Sequence, residues 1–215
     1  MHLVVFDIDG TLVDSYGFDA ALYADAIRRV LGIDIDTDWA RYTNATDSGI
    51  LDQIIEETGV EEDRETIQER VQTEFTRLTE SYIKQNANAV REIPGASAFI
   101  KHLEQIEDVA IAIATGGWES TAKLKLRAIG LDPHQFALAT ASDAISREEI
   151  IEIAADRSLR GIKAARKTYF GDGLWDKRAS EALGYEFIGV GNRVEHHVIF
   201  LDYRNVEEIL THLGV

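Results

Sequence analysis

Apolar and polar residues alternate along the chain in blocks that predict a regular series of strands and helices. Short apolar runs recur at wide spacing, which is typical of buried strands. They cover residues 3–6, 109–114, 136–139, 168–170 and 187–190, and a further strand is expected at 198–201. Segments with helical periodicity lie at 119–129, 147–155, 175–183 and 205–213. Strands that alternate with helices in this way predict an α/β protein with a parallel sheet covered on both faces.

Residues 14–92 interrupt this alternation, because they contain several amphipathic helical stretches and no convincing strand. The clearest stretch covers residues 64–86. Its apolar positions are Ile67, Val71, Phe75, Leu78 and Tyr82. Spacings of three and four residues are those of a helix buried on one side. We therefore expect a core formed by residues 1–13 and 93–215 and a helical domain inserted at 14–92.

Composition and charge exclude several classes of function. The 215 residues include 38 acidic and 22 basic side chains, a net charge of −16, so nucleic acids and acidic membrane surfaces are poor partners. The chain has no cysteine, which excludes disulfides and a cysteine nucleophile. No apolar run is long enough for a membrane helix or a signal peptide. We expect a soluble, cytoplasmic protein, and the pattern carries no signal for its oligomeric state.

Two acids follow the first predicted strand. Asp7 and Asp9 are separated by one residue, and Gly10 comes directly after them. The alternative interpretation is a β-hairpin, since Asp-Gly between apolar runs favours a tight turn. In an open α/β sheet, however, ligands bind beyond the carboxyl ends of the strands, where these two carboxylates are expected.

Two other predicted strands end in polar groups as well. Thr115, Gly116 and Gly117 follow the strand at 109–114, and Asp172 and Asp176 follow the strand at 168–170. The threonine and glycines can present a hydroxyl and backbone N–H groups to an anion, although an ordinary strand-to-helix turn also needs glycine. Asp176 could equally be an early-helix partner of the helix dipole.

Four acids that converge on one edge of a sheet require a cation. Two carboxylates about 4 Å apart repel by roughly 4 kcal/mol at an effective dielectric constant near 20. Oxygen ligands without cysteine or paired histidine favour Mg²⁺. The six histidines lack metal-ligand spacing and are interpreted as structural or surface groups.

These motifs resemble those of the haloacid dehalogenase superfamily, which consists mostly of phosphatases and phosphotransferases. The match covers nearly the whole chain: residues 7–15 resemble the first motif, Thr115 the second, and residues 171–176 the fourth. The resemblance implies a Rossmann-like core. The insertion at 14–92 lies where the branch similar to phosphoglycolate phosphatase and β-phosphoglucomutase carries a helical cap domain.

The resemblance also implies roles for single residues. Asp7 would be the nucleophile that forms an aspartyl-phosphate, Asp9 the general acid and base, and Thr115 a phosphate ligand. Mg²⁺ would be held at Asp7, Asp9, Asp172 and Asp176. Substrate contacts are expected from Thr11, Gly116, Gly117, Thr46 and Asp47. For Thr46 and Asp47 the alternative is helix capping, with Asp47 or Ser48 at the N-cap.

The third motif of the family is the one departure. The family has a lysine, usually before a proline, about 25 residues ahead of the fourth motif, and Arg147 stands there in this chain. Arg147 could bind the phosphate in its place, since a guanidinium keeps its charge. Lys163 and Lys167 are the alternatives. Trp118, Tyr16 and Phe18 are interpreted as packing residues.

The resulting prediction is a Mg²⁺-dependent phosphatase that acts on a small phosphorylated metabolite, because an acid at Asp9 suits an alkoxide leaving group and not a halide. Three alternatives stay open. A phosphomutase would share the aspartyl-phosphate, and a catalytically inactive binding protein would explain the missing Lys-Pro. An aspartate-phosphorylated receiver domain would not need the long helical insertion.

Overall fold

The computed structural model describes residues 1–86 and 90–215, so residues 87–89 of the predicted insertion lie outside the described residues. The strands are β1 (His2–Phe6), β2 (Val13–Asp14), β3 (Arg91–Glu92), β4 (Val109–Ala114), β5 (Ala137–Ala139), β6 (Arg166–Gly171), β7 (Glu186–Val190) and β8 (Ile199–Phe200). The helices are α1 (Asp19–Leu31), α2 (Asp47–Thr58), α3 (Arg64–Gln85), α4 (Ala96–Leu103), α5 (Glu119–Ala128), α6 (Arg147–Leu159), α7 (Leu174–Ala182) and α8 (Val206–Leu213).

Six strands form a parallel sheet in the order β5-β4-β1-β6-β7-β8. β1 is central, because Phe6 pairs with Ile113 of β4 on one side and with Phe170 of β6 on the other, both in parallel. The hairpin interpretation of residues 9–10 is therefore wrong, and the predicted α/β class is confirmed. This strand order places the carboxyl ends of β1, β4 and β6 side by side.

The two faces of the sheet are covered by different helices, as expected for a sheet whose strands are buried on both sides. Val4 and Phe6 of β1 belong to a cluster that includes Phe99 of α4. Leu3 and Val5, which point to the opposite face, belong to a cluster with residues of α6 and α7. Side chains that alternate along β1 thus join two separate cores, and the central strand is fully buried.

Helices α1, α2 and α3 lie in what we call the helical segment (residues 19–85), and their apolar side chains form a third cluster, which Trp118 and Ala141 of the core join. The predicted stripe of α3 is buried at Ile67, Val71, Phe75 and Leu78. Its last member, Tyr82, is half-buried and stacks on Phe18 with the ring centroids 4.8 Å apart. The helical periodicity therefore located the apolar side of α3.

Two short connections join the helical segment to the parallel sheet. β2 and β3 pair in antiparallel fashion, with Val13 opposite Glu92 and Asp14 opposite Arg91. The sequence predicted no strand in residues 14–92, and two-residue strands are too short to produce an alternating pattern. The chain thus leaves and re-enters the core at one place.

Within residues 1–86 and 90–215, none of the helices has the length and apolarity needed to cross a lipid bilayer.

Candidate active site

A cavity of about 310 Å³ lies between the carboxyl ends of the central strands and the helical segment. Nine of the predicted site residues line it: Asp7, Asp9, Thr46, Asp47, Thr115, Gly116, Gly117, Arg147 and Asp172. Asp176 is fully buried beneath the cavity wall. Thr11 is also fully buried, and its hydroxyl has no hydrogen-bond partner among the described residues. The structure thus gathers the sequence motifs around one space.

The loop after β1 separates the directions of the two first-motif acids. The carbonyl of Ile8 accepts hydrogen bonds from the N–H groups of Leu12 and Val13 at 2.8 and 2.9 Å, which turns the chain sharply. Gly10 adopts a φ of +78°, and a Cβ there would lie 2.6 Å from Cγ of Asp172. Glycine is required by both the backbone conformation and the close approach.

Three of the four predicted metal ligands form a buried acidic triad. Asp7, Asp172 and Asp176 can each place a carboxylate oxygen within 4.8 Å of the others. The backbone N–H of Gly173 donates to Asp176 Oδ2 at 3.0 Å, which fixes this carboxylate at the start of α7. The side chain of Asp9 is not part of the triad.

Arg147 supplies a positive charge to the triad. Its Nη1 lies 3.1 Å from Asp7 Oδ1 and 3.1 Å from Asp176 Oδ1, and the residue is 8% exposed. It is the first residue of α6, whose N-cap Ser146 accepts the N–H of Glu149. Lys163 is exposed, and Lys167 lies over the ring of Tyr185. Arg147 therefore occupies the place that the third motif predicts for a cation.

The triad holds more negative charge than Arg147 compensates. Burial, and then repulsion from Asp176, raises the pKa of Asp7 to about 7, although Arg147 acts in the opposite direction. The pKa of Asp172 is raised well above its ordinary value by burial, with further repulsion from Asp176 and Asp7. Strongly raised carboxyl pKa values in a cavity are typical of functional sites. The arrangement can accept a divalent cation.

Asp9 is held by a different cation, which the sequence analysis missed. Lys125 of α5 is 1% exposed, and its Nζ lies 2.7 Å from Oδ1 and 2.8 Å from Oδ2 of Asp9. The same Nζ lies 2.7 Å from Asp19 Oδ1 at the start of α1. The hydroxyl of Ser15 also donates to Asp9 Oδ1. A signal existed, because residues 121, 122, 125 and 126 form the buried stripe of α5 and include this lysine.

The turn after β4 lies under Arg147. Gly117 donates its N–H to the hydroxyl of Thr115 at 3.3 Å. A Cβ at Gly116 would lie 2.6 Å from Nη2 of Arg147 and 2.9 Å from the carbonyl oxygen of Ala45. The backbone at Gly116 therefore packs directly against the guanidinium, as close as only glycine allows.

The start of α2 contacts the core through several hydrogen bonds. Thr46 is the N-cap, because its hydroxyl accepts the N–H of Gly49 at 3.0 Å, so the prediction of Asp47 or Ser48 at this position is wrong. Asp47 Oδ2 instead accepts the backbone N–H of Trp118 at 2.8 Å. Burial, and then repulsion from Asp19, raises the pKa of Asp47 to about 8.

Trp118 and Tyr16 were both interpreted as packing residues, and the structure agrees for Trp118 but not for Tyr16. Trp118 is fully buried and belongs to the cluster of the helical segment, as a packing residue should. Tyr16 is 45% exposed and lines the cavity, and its hydroxyl donates to Asp172 Oδ2. The guanidinium of Arg193 lies 3.9 Å from the centroid of the Tyr16 ring. The side chain of Tyr16 thus belongs to the site.

A parallel α/β sheet with acids after β1 and β6, and a threonine and two glycines after the neighbouring β4, forms a ligand-binding edge of the kind found in open α/β proteins. Comparison of the sequence with protein-family models identifies the family, because the model for haloacid dehalogenase-like hydrolases matches residues 4–190. The chain belongs to the haloacid dehalogenase-like hydrolases and is an enzyme of that family. No curated protein matches the sequence.

Solved structures share the fold at low sequence identity. A hydrolase from Pseudomonas syringae has a TM-score of 0.71 and 22% identity, over 100% of this chain and 98% of the other. CbbY from Rhodobacter sphaeroides, solved in complex with phosphate, has a TM-score of 0.72 and 15% identity over 95% of both chains. A predicted phosphoglycolate phosphatase from Haemophilus somnus has a TM-score of 0.65 and 17% identity over 96% of both.

Proposed function

We propose that the protein is a Mg²⁺-dependent phosphatase that hydrolyses a small phosphate monoester through an aspartyl-phosphate on Asp7. One observation carries this proposal: Asp7 lines the cavity and belongs to the acidic triad, while the guanidinium of Arg147 lies 3.1 Å from its carboxylate. A nucleophilic carboxylate, a cation for the phosphoryl oxygens and a potential metal site are thus in contact with one another.

The donor set of the triad fits Mg²⁺. Asp7 and Asp172 would hold the ion, and Asp176 would support them directly or through water. All three offer carboxylate oxygens, which are the ligands that Mg²⁺ prefers, and the raised pKa values of Asp7 and Asp172 indicate that this buried negative charge lacks a cation. The ion would neutralise negative charge on the transferring phosphoryl group.

The reaction would proceed in two steps. In the first, an oxygen of Asp7 forms a bond to phosphorus while the ester P–O bond breaks, and Asp9 donates its proton to the departing alkoxide. In the second, water attacks the phosphorus of the aspartyl-phosphate and the Asp7 O–P bond breaks, which frees phosphate and the Asp7 carboxylate, while Asp9 takes the proton of the water and so regains the proton it had donated. Arg147, the hydroxyl of Thr115 and the N–H groups of Gly116 and Gly117 would stabilise the phosphoryl oxygens.

The helical segment would act as a cap domain over this site, in line with the division expected at residues 14–92. Residues Ala45, Thr46 and Asp47 line the cavity opposite Asp7. Both connections to the core meet in the β2–β3 ribbon, so a small change there could move the segment as a unit. Closure would exclude water while the substrate reacts.

The charges around the cavity favour a phosphatase over a phosphomutase that uses a bisphosphate. Among the lining residues that the structure describes, the cations are Arg147 and Arg193, and both lie against acids of the triad. The helical segment and the loop within it contribute carboxylates and aromatic rings to the remaining wall: Asp19, Asp38, Asp47, Tyr23 and Trp39. Because both lining cations are already paired with acids of the triad, a second phosphate would find no free positive charge on the described part of this wall. The substrate would therefore carry one phosphate on an uncharged or cationic alcohol.

A panel of phosphate monoesters and sugar bisphosphates, each with Mg²⁺ and with EDTA, tests this proposal. We expect Mg²⁺-dependent release of phosphate from p-nitrophenyl phosphate and from monophosphates in preference to bisphosphates. Asp7→Asn should lower kcat by at least ~1,000-fold, because an amide cannot form the acyl phosphate. No Mg²⁺-dependent turnover across the panel would contradict the proposal and favour an inactive binding protein.

A further inference from the structure

Lys125 is a buried charged group that the proposed reaction does not yet use. It is 1% exposed, does not line the cavity, and contacts Asp9 and Asp19. Burial alone would lower the pKa of Lys125, but the carboxylates of Asp19 and Asp9 offset this effect and raise it, so the ammonium stays charged. Burying a charge costs several kcal/mol before its partners compensate. A buried charge of this kind is expected to have a structural or functional role.

Among the described residues, two separate buried cations contact the site acids, and each contacts a different reacting carboxylate. Arg147 contacts Asp7, the proposed nucleophile, and also Asp176. Lys125 contacts Asp9 together with Asp19. The nucleophile and the acid–base group thus have different partners, although they are only two residues apart in the chain. This separation keeps the Asp9 carboxylate out of the acidic triad.

The contacts of Lys125 restrict the orientation of Asp9. Both carboxylate oxygens lie within 2.8 Å of Nζ, and Ser15 donates to Oδ1 from the backbone turn that follows. The side chain of Asp9 is still 28% exposed and faces the cavity. A carboxylate held from the protein side and open on the cavity side can meet a leaving-group oxygen without first being ordered.

We propose that Lys125 is a positioning residue that holds the carboxylate of Asp9 for proton transfer to the leaving group. The proposal rests on the proposed phosphatase function. In the step concerned, the Asp7 O–P bond forms, the ester P–O bond breaks, and the proton of Asp9 moves to the departing oxygen. Lys125 touches neither the substrate nor the reacting atoms and acts only through Asp9.

A comparison of two aryl esters of similar shape tests this role. Phenyl phosphate releases a phenol that ionises near pH ~10, like tyrosine, and needs a proton as it leaves. p-Nitrophenyl phosphate releases a much more stable anion and needs the proton far less. For a reaction through a covalent intermediate, kcat/KM includes only the steps up to formation of the aspartyl-phosphate. The ratio of the two kcat/KM values therefore reports proton donation by Asp9.

We expect Lys125→Met to lower kcat/KM for phenyl phosphate roughly 10-fold more than for p-nitrophenyl phosphate, since general acid catalysis contributes about 100-fold or more. Asp9→Asn should change the ratio in the same direction and further. If Lys125→Met does not fold, the same comparison is made with Lys125→Gln, which keeps a polar group in the site. Circular dichroism and thermal unfolding of each variant establish that it is folded.

Lys123→Met is the matched control. Lys123 lies on the same helix, but its side chain is 27% exposed and forms an ion pair with Glu119 at 2.6 Å. This variant should leave the ratio at the wild-type value.

Two results would overturn the proposal. An equal loss with both esters would assign Lys125 to the fold alone, and a gain with phenyl phosphate would mean that Lys125 holds Asp9 away from the leaving group. Failure of the proposed function is distinguishable, because the wild-type protein would then hydrolyse neither ester in the presence of Mg²⁺.

Discussion

The carboxyl group of Asp47 makes stability depend on pH. Its pKa is about 8 in the folded chain and near 3.8 in the unfolded one, so between these values the folded state binds more protons. The free energy of unfolding should therefore fall as the pH rises through this window. Asp47→Asn cannot ionise, and its amide oxygen can still accept the N–H of Trp118.

The gain in stability of Asp47→Asn over wild type should grow by roughly 3–4 kcal/mol between pH 5 and pH 8. Urea unfolding of the metal-free proteins at several pH values measures this difference. A difference that stays constant, or that shrinks as the pH rises, would show that Asp47 is ionised throughout in the folded protein.

Two adjacent glycines provide a matched test of the packing against Arg147. A Cβ at Gly116 would overlap the guanidinium at 2.6 Å, whereas the nearest atoms to a Cβ at Gly117 lie 3.8 Å away. Gly116→Ala should lower the free energy of unfolding by about 1–3 kcal/mol, because a buried, paired arginine cannot move cheaply. Gly117→Ala should stay within ~0.5 kcal/mol of wild type. Equal values for the two variants would contradict this packing.

At the scale of single residues, the sequence identified groups whose chemistry is carried by a local motif. Asp7, Asp172 and Asp176 were found because each follows a recognisable strand. Lys125 and Tyr16 were missed, since their partners lie 116 and 156 residues away in the chain. A lysine or tyrosine has no local signature for such a contact, apart from the position of Lys125 on a buried helix stripe.

At the scale of elements, the helical segment is joined to the core by a chain of three buried groups. The indole Nε1 of Trp118 donates to Ser48 Oγ at 2.7 Å, and Ser48 Oγ donates to the carbonyl of Ala141 at 2.6 Å. Ser48 belongs to α2, whereas Trp118 and Ala141 follow β4 and β5. A buried donor that loses its acceptor costs about 1–3 kcal/mol.

A double-mutant cycle measures this link. Ser48→Ala leaves the indole N–H unpaired, and Trp118→Phe removes that N–H, so the second substitution should cost less once the first is present. We expect a coupling free energy of roughly 1–2 kcal/mol in chemical denaturation. Additive effects would mean that α2 and the loop after β4 are held together by other contacts.

At this scale, the sequence predicted helices and strands correctly where the apolar pattern was long enough to show its period. The six strands of the parallel sheet were found close to their observed bounds, and α3 was predicted at 64–86 and observed at Arg64–Gln85. The β2–β3 ribbon and α4 were not predicted. The ribbon has two residues in each strand, which is too short for an alternating pattern.

At the scale of the whole molecule, the metal site should contribute to stability. The acidic triad is buried and short of positive charge, so an ion that binds the folded state alone would raise the free energy of unfolding by about 2.7 kcal/mol at 100 times its dissociation constant. Mg²⁺ should therefore raise Tm, and EDTA should reverse the effect. Asp172→Asn should abolish the rise. An equal rise in this variant would place the ion elsewhere.

The most direct test of the account is to locate the phosphoryl group during turnover. The protein is mixed with p-nitrophenyl phosphate and Mg²⁺, quenched in acid within milliseconds, and analysed by peptide mass spectrometry. The account predicts one phosphoryl group on the peptide that contains Asp7, absent with EDTA and absent in Asp7→Asn. Turnover that leaves no phosphoryl group on this peptide, or places it on another residue, would contradict it.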